Sequence, residues 1–118
     1  MKDKLDTVFE MQAALDKYMI ERRNLSYSPD EWIQKKTLAM LSELSELIDE
    51  VNFKWWKAKK PPEDCKVKDE LVDIFHFFIS MCLDANLSAD ELFSLYTLKN
   101  AENKKRQTGT STEKDYTK

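Results

Sequence analysis

Apolar and polar positions along the chain alternate with the period of an α-helix and predict four of them. Leu5, Val8, Phe9, Leu15 and Met19 recur at helical spacing and predict a first helix from about Asp3 to Arg22. The segment from Asn24 to Ser28 reads as a loop. Ser28-Pro29-Asp30-Glu31 is a start signal: a capping Ser, Pro at the first helical position and Glu three residues after the cap. Helix two follows to about Trp56. Ala58 to Lys66 holds Pro61-Pro62 and reads as a connector. Helix three runs from about Val67 to Ala85. Ser88-Ala89-Asp90-Glu91 reads as a second capping box, opening helix four, which runs to about Gln107 before Gly109 stops it. The spacing predicts an all-α, four-helix bundle-like domain over 1–109, followed by a polar, mobile tail over 110–118.

The stripes carry more than a core. On helix two, Met40, Leu44, Leu47, Ile48 and Val51 form the core stripe. Glu43, Glu46 and Glu50 run beside it, and Lys57 continues their line if the helix extends so far. On helix three, Glu70 and Asp73 border an apolar arc that includes Leu71, Val72, Phe75, Phe78 and Ile79. That arc covers more than half the helix. It predicts either a face that meets another subunit or an unusually central helix in a monomer. Gln12 and Asp16 fall within the apolar stripe of helix one, where unpartnered polar groups would cost a few kcal/mol. On helix four the stripe begun by Leu92, Leu95 and Tyr96 continues as Lys99, Asn103 and Arg106.

Composition narrows the class. With one Gly and three Pro in 118 residues, the chain has few breakers, as long helices require. A net charge of −3 argues against general nucleic-acid binding. No apolar run approaches a membrane span and no signal-peptide pattern opens the chain, so no membrane partner is expected. Cys65 and Cys82 form neither a disulfide framework nor a zinc pattern, which sets a reduced, cytoplasmic location as the expectation.

The candidate chemistry lies in Glu43-x-x-Glu46 and Glu70-x-x-Asp73. Each pair projects two carboxylates from one side of one helical turn. Two facing pairs would surround a small volume that calls for a hard cation such as Mg²⁺, which takes oxygen ligands and binds phosphates together with them. Either pair alone is also what a solvated helix face looks like. The combination with inward polar residues on helices one and four is what points to a site. His76, between Phe75 and Phe77, reads either as a packed residue or as a ligand. Either Trp55 or Trp56 could stack on a base.

Glu43-Leu-Ser-Glu46, Phe53-Lys-Trp-Trp56-Lys57 and Glu70-Leu-Val-Asp73-Ile-Phe-His76-Phe77 resemble the all-α NTP pyrophosphatase (MazG-like) superfamily. Within it the chain is most similar to the dimeric dUTPase family of phages, bacteria and trypanosomatids. Phe9-Glu-Met-Gln12-Ala-Ala-Leu15-Asp16 is similar to the first-helix motif of that branch. The run from Lys99 through Asn103, Arg106 and Gln107 to Gly109 is similar to its late motif. The resemblance implies Mg²⁺-dependent cleavage of a nucleoside triphosphate between the α- and β-phosphates, foremost of dUTP to dUMP and diphosphate. It implies Glu43, Glu46, Glu70 and Asp73 as metal ligands, with Glu43 or Glu46 activating water. Lys99, Arg106 and Lys57 would hold phosphates. Gln12, Asp16, Asn103 and Trp56 would shape the nucleoside pocket. It also implies a homodimer or homotetramer. The chain departs from the family at position 16, Asp where Asn is frequent, at Thr110 where an aromatic is common, and in its shorter length. The alternatives are a related pyrophosphatase for dCTP or a modified nucleotide, and a non-catalytic helical dimerisation protein built on helix three.

Overall fold

The computed structural model describes residues 2–118, and among these it is all-helical: α1 (Lys4–Arg23), α2 (Pro29–Glu50), α3 (Asp64–Asp84) and α4 (Ala89–Thr108), with no strand. The chain divides into two compact units, Met1–Asn86 and Leu87–Lys118. The expected helix number is met. Within the first unit α1, α2 and α3 pack together.

Local chemistry sets the helix ends. Asp3 and Asp6 form a reciprocal capping box at the start of α1, and Asn24 ends that helix in the left-handed region at φ 51°. Ser28 and Glu31 form the expected box on α2, with Pro29 at its first turn. Ser88 Oγ accepts from Glu91 N at 3.1 Å at the start of α4, but the reciprocal bond of a box is not formed. Helix α2 stops at Glu50, short of the expected Trp56. The cause is Asn52, whose φ of 59° turns the chain. Its side chain clasps the backbone of Lys60, donating from Nδ2 to the carbonyl (2.6 Å) and accepting at Oδ1 from the amide (3.0 Å). Helix α3 starts at Asp64, three residues earlier than expected, with Glu63 as the cap residue between it and the connector prolines.

In the first unit α3 packs against both α2 and α1, more extensively against α2. Phe9, Ile79 and Cys82 are buried, and so are two polar residues, Gln12 and Ser80. A hydrophobic seam with polar groups this deep requires that each be hydrogen-bonded. Burial pushes the Cys82 thiol above its usual range, which keeps it an inert packing residue. The outer arc of α3 stays open in the single chain, with Leu71, Val72, Phe75 and Phe78 all exposed.

In the second unit, Gly109 ends α4 at φ 77°, a conformation glycine adopts without strain. The residues expected to form a mobile tail contact the end of that helix. Tyr116 N donates to the Arg106 carbonyl at 3.0 Å, and Ser111 Oγ donates to Glu102 Oε1.

Candidate active site

A cavity of about 580 Å³ opens between the three helices of the first unit. This lies in the size range of small-molecule sites. Helix α1 contributes Gln12, Leu15, Asp16 and Met19. Helix α2 contributes Trp32, Lys35, Lys36, Ala39 and Glu43, and α3 contributes Asp73, His76, Phe77 and Ser80. Each set recurs at three- and four-residue spacing and so shares a helix face.

At one end stand the carboxylates. Glu43, Glu46 and Glu70 each offer an oxygen, and the three lie within 4.8 Å of one another. Glu43 Oε2 and Glu70 Oε2 are buried without a hydrogen-bond donor. Unpartnered buried oxygens of like charge are costly, and a shared proton or a cation is what relieves them. The Glu70 carboxyl is accordingly pushed up to about 7, first by hydrogen bonding with Glu43, then by burial and by the nearby charge of Glu46. The donor set is oxygen only and anionic, which fits a hard divalent cation. Asp73, expected as a fourth ligand, is outside this trio and lies on the cavity wall, one helical turn beyond Glu70.

At the other end polar groups from all three helices bond to one another. Gln12 Nε2 donates to Asp16 Oδ1 at 2.9 Å, and Ser80 Oγ donates to Asp16 Oδ2 at 2.7 Å. Lys36 Nζ lies 3.9 Å from Asp16 Oδ2 and 2.6 Å from Asp84 Oδ2, and 4.8 Å from the centre of the Trp32 ring. His76 Nδ1 lies 2.7 Å from Gln12 Oε1. A carboxylate only accepts, so the amide nitrogen of Gln12 faces Asp16 and its oxygen faces His76. His76 Nδ1 therefore carries the hydrogen.

Two further expected residues lie beyond the end of α2. Trp56 and Lys57 lie in the connector, not on an extended α2. Trp56 is exposed and packs edge-on against Trp55 and Phe53, and Lys57 lines a small hollow with Asp49, Asn52 and Lys60. The aromatic rings on the cavity wall are instead Trp32 and Phe77. Lys99, Asn103 and Arg106 lie on α4 in the second unit. There Arg106 is paired with Glu102 (3.0 Å) and Glu113 (3.1 Å), which raise its already high pKa. Sequence reasoning passed over Trp32, Lys36, Ser80 and Asp84. The first two were within reach, because Trp32, Lys36, Ala39, Glu43 and Glu46 form one stripe in steps of four and three.

A family model described as dUTPase matches residues 4–88, the stretch that builds the cavity and the carboxylate trio. The chain is 30% identical over 139 aligned positions to a dCTP pyrophosphatase of Enterobacteria phage T4, covering 90% of this chain and 81% of that protein. It is 32% identical to a dCTP pyrophosphatase of Enterobacteria phage LZ5, over 89% of this chain and 64% of the relative. A DNA replication protein of phage T4 is 30% identical over 84% of this chain, which spans only 34% of that protein. No solved structure matches.

Proposed function

Because the chain belongs to the dUTPase family of all-α nucleoside triphosphate pyrophosphatases, we propose that it is a Mg²⁺-dependent pyrophosphohydrolase of pyrimidine deoxynucleoside triphosphates. The reaction adds water between the α- and β-phosphates and yields a nucleoside monophosphate and diphosphate. The observation that carries this reading is the double membership of Glu43, which lines the nucleoside-sized cavity and also belongs to the carboxylate trio. A nucleotide seated in the cavity would bring its phosphates to the acidic end.

Glu43, Glu46 and Glu70 would hold the metal, with Asp73 alongside. Their unpartnered oxygens suit that task. Bound there, Mg²⁺ supplies charge neutralisation to phosphate oxygens that carboxylates alone would repel. Glu46 is the exposed member of the trio and so the one best placed to take a proton from attacking water. Lys35 adds a cation to the cavity wall, suited to a phosphate oxygen. Trp32 and Phe77 offer apolar faces for the nucleoside. The open arc of α3 suits contact with a second copy of the chain, in a homodimer or homotetramer.

The base follows two indications. The family description supports dUTP, and the names of the phage relatives support dCTP. The test is diphosphate release from both nucleotides with Mg²⁺, repeated with Glu43→Gln and Glu70→Gln. Release that both substitutions abolish is the expected result. No release, or release that they leave unchanged, would sink the reading.

A further inference from the structure

We propose that Asp16 selects the base, and that it does so as a fixed acceptor for the exocyclic 4-amino group of cytosine. Asp16 lies on the cavity wall with its side chain 14% exposed. The groups that bond to or pair with it are donors: Gln12 Nε2 on Oδ1, Ser80 Oγ on Oδ2, and the Lys36 ammonium near Oδ2. A carboxylate offers about four acceptor positions. The two close hydrogen bonds use two of them and leave room for a ligand donor.

The fixity is what makes the position selective. A free glutamine could turn its amide over and serve either pyrimidine. Gln12 cannot, because Asp16 holds its nitrogen and His76 holds its oxygen. Lys36 is pinned in turn by Asp84 and lies over Trp32, so the cation beside Asp16 is also held. Lys36 and Ser80 are positioning residues in this scheme.

The two pyrimidines differ at the 4-position and at N3. Cytosine presents an amino donor at position 4, which a carboxylate accepts directly, as Asp and Glu do when reading cytosine in duplexes. Uracil presents a carbonyl oxygen there, and two oxygens facing each other in a partly dry site repel. Uracil could offer N3–H to one Asp16 oxygen, but O4 or O2 would then lie against the other. A site built to pair with a ligand hydrogen discriminates strongly against the analogue that lacks it.

The inference rests on the nucleotide-hydrolase reading for its substrate, so its test is read in binding as well as turnover. Calorimetric titrations compare dCMP, dUMP and the 2-pyrimidinone deoxynucleotide, which lacks the 4-substituent, against the wild-type chain and Asp16→Asn. The wild type should bind dCMP at least about tenfold more tightly than either of the others. Asp16→Asn should reduce the dCMP preference over dUMP by about tenfold or more, with dUMP binding held or improved. The same change should appear in the ratio of kcat/KM for dCTP and dUTP, carried by KM. Equal wild-type binding of dCMP and 2-pyrimidinone nucleotide would overturn the proposal, and that arm needs no variant to fold. An Asp16→Asn chain that weakens both nucleotides equally would overturn it too. If no nucleotide is hydrolysed but the dCMP preference holds, the enzymatic reading fails and the base assignment stands. Hydrolysis of dCTP and dUTP at equal kcat/KM with equal binding has the reverse meaning.

Discussion

The two ends of the cavity are in opposite electrostatic states. At the acidic end Glu43, Glu46 and Glu70 converge, and two of their oxygens are buried without a donor. At the other end Gln12, Asp16, Lys36, His76, Ser80 and Asp84 satisfy one another through a continuous chain of hydrogen bonds and ion pairs. One end is frustrated until a cation arrives. The other is organised before any ligand enters. Polar groups that must recognise a base gain from being preset, because a ligand lacking the matching group then leaves them unpaired. Groups that bind a cation gain from mutual repulsion, because the ion then relieves it.

That contrast can be broken by experiment. The largest effect is expected at the frustrated end. Glu43→Gln or Glu70→Gln should lower kcat for diphosphate release by about 10³-fold, the scale for removing a principal electrostatic stabiliser of the transition state. Neither should lower the melting temperature of the metal-free chain, since each removes repulsion; a marked drop would show that the trio is structural. At the organised end the balance reverses. Lys36→Met leaves Asp84 and Asp16 without their cation and should cost about 2–3 kcal/mol in urea unfolding, somewhat below the range for a fully buried pair. An unchanged unfolding midpoint would mean that the network is ornamental.

Mg²⁺ should stabilise the frustrated end selectively. At about 100 times its dissociation constant it adds roughly 2.7 kcal/mol, read as a rise of several degrees in melting temperature that Glu43→Gln abolishes. A rise that persists in Glu43→Gln would place the ion elsewhere. Next in size, Trp32→Ala should raise KM for the nucleotide by about tenfold, the scale of one lost base-stacking contact. Trp56→Ala should change it far less, because Trp56 lies on the connector. The opposite ranking would return the base to the connector.

The smallest effect is a pH dependence. The folded Glu70 carboxyl sits near 7, above its usual 4.5, so the folded chain holds a proton that the unfolded chain releases. That contribution to stability is fully present below about 4.5 and is lost as pH rises through about 7. The metal-free melting temperature should therefore fall across this window, more steeply in the wild type than in Glu70→Gln. Identical slopes would remove Glu70 from the account.

Much of this molecule was legible in its residues because the signals were local. Caps at Ser28 and Ser88, the stop at Gly109 and the three-residue spacing of the acids concern neighbours along the chain. Gln12 and Asp16 were legible for a related reason: polar side chains on an apolar stripe need partners wherever that stripe packs. The end of α2 was not legible, because Asn52 grips Lys60 eight residues away across the connector. The extrapolation of the acidic stripe to Lys57 failed with it. Asp73 kept the acidic spacing but not the convergence, since helical register places a residue on a face and helix packing decides which oxygens meet.

Spacing and side-chain chemistry within a few turns set the four helices, the caps at Ser28 and Ser88, the acidic pairs and the polar interruptions of the first stripe. Helix packing brought Glu70 across to Glu43 and Glu46 and set Lys36 beside Asp16. It alone decided that Gln12 is locked between Asp16 and His76. Those outcomes depend on how α1 and α2 seat against α3. The contacts join residues up to 64 positions apart, and no pattern confined to one helix encodes their register.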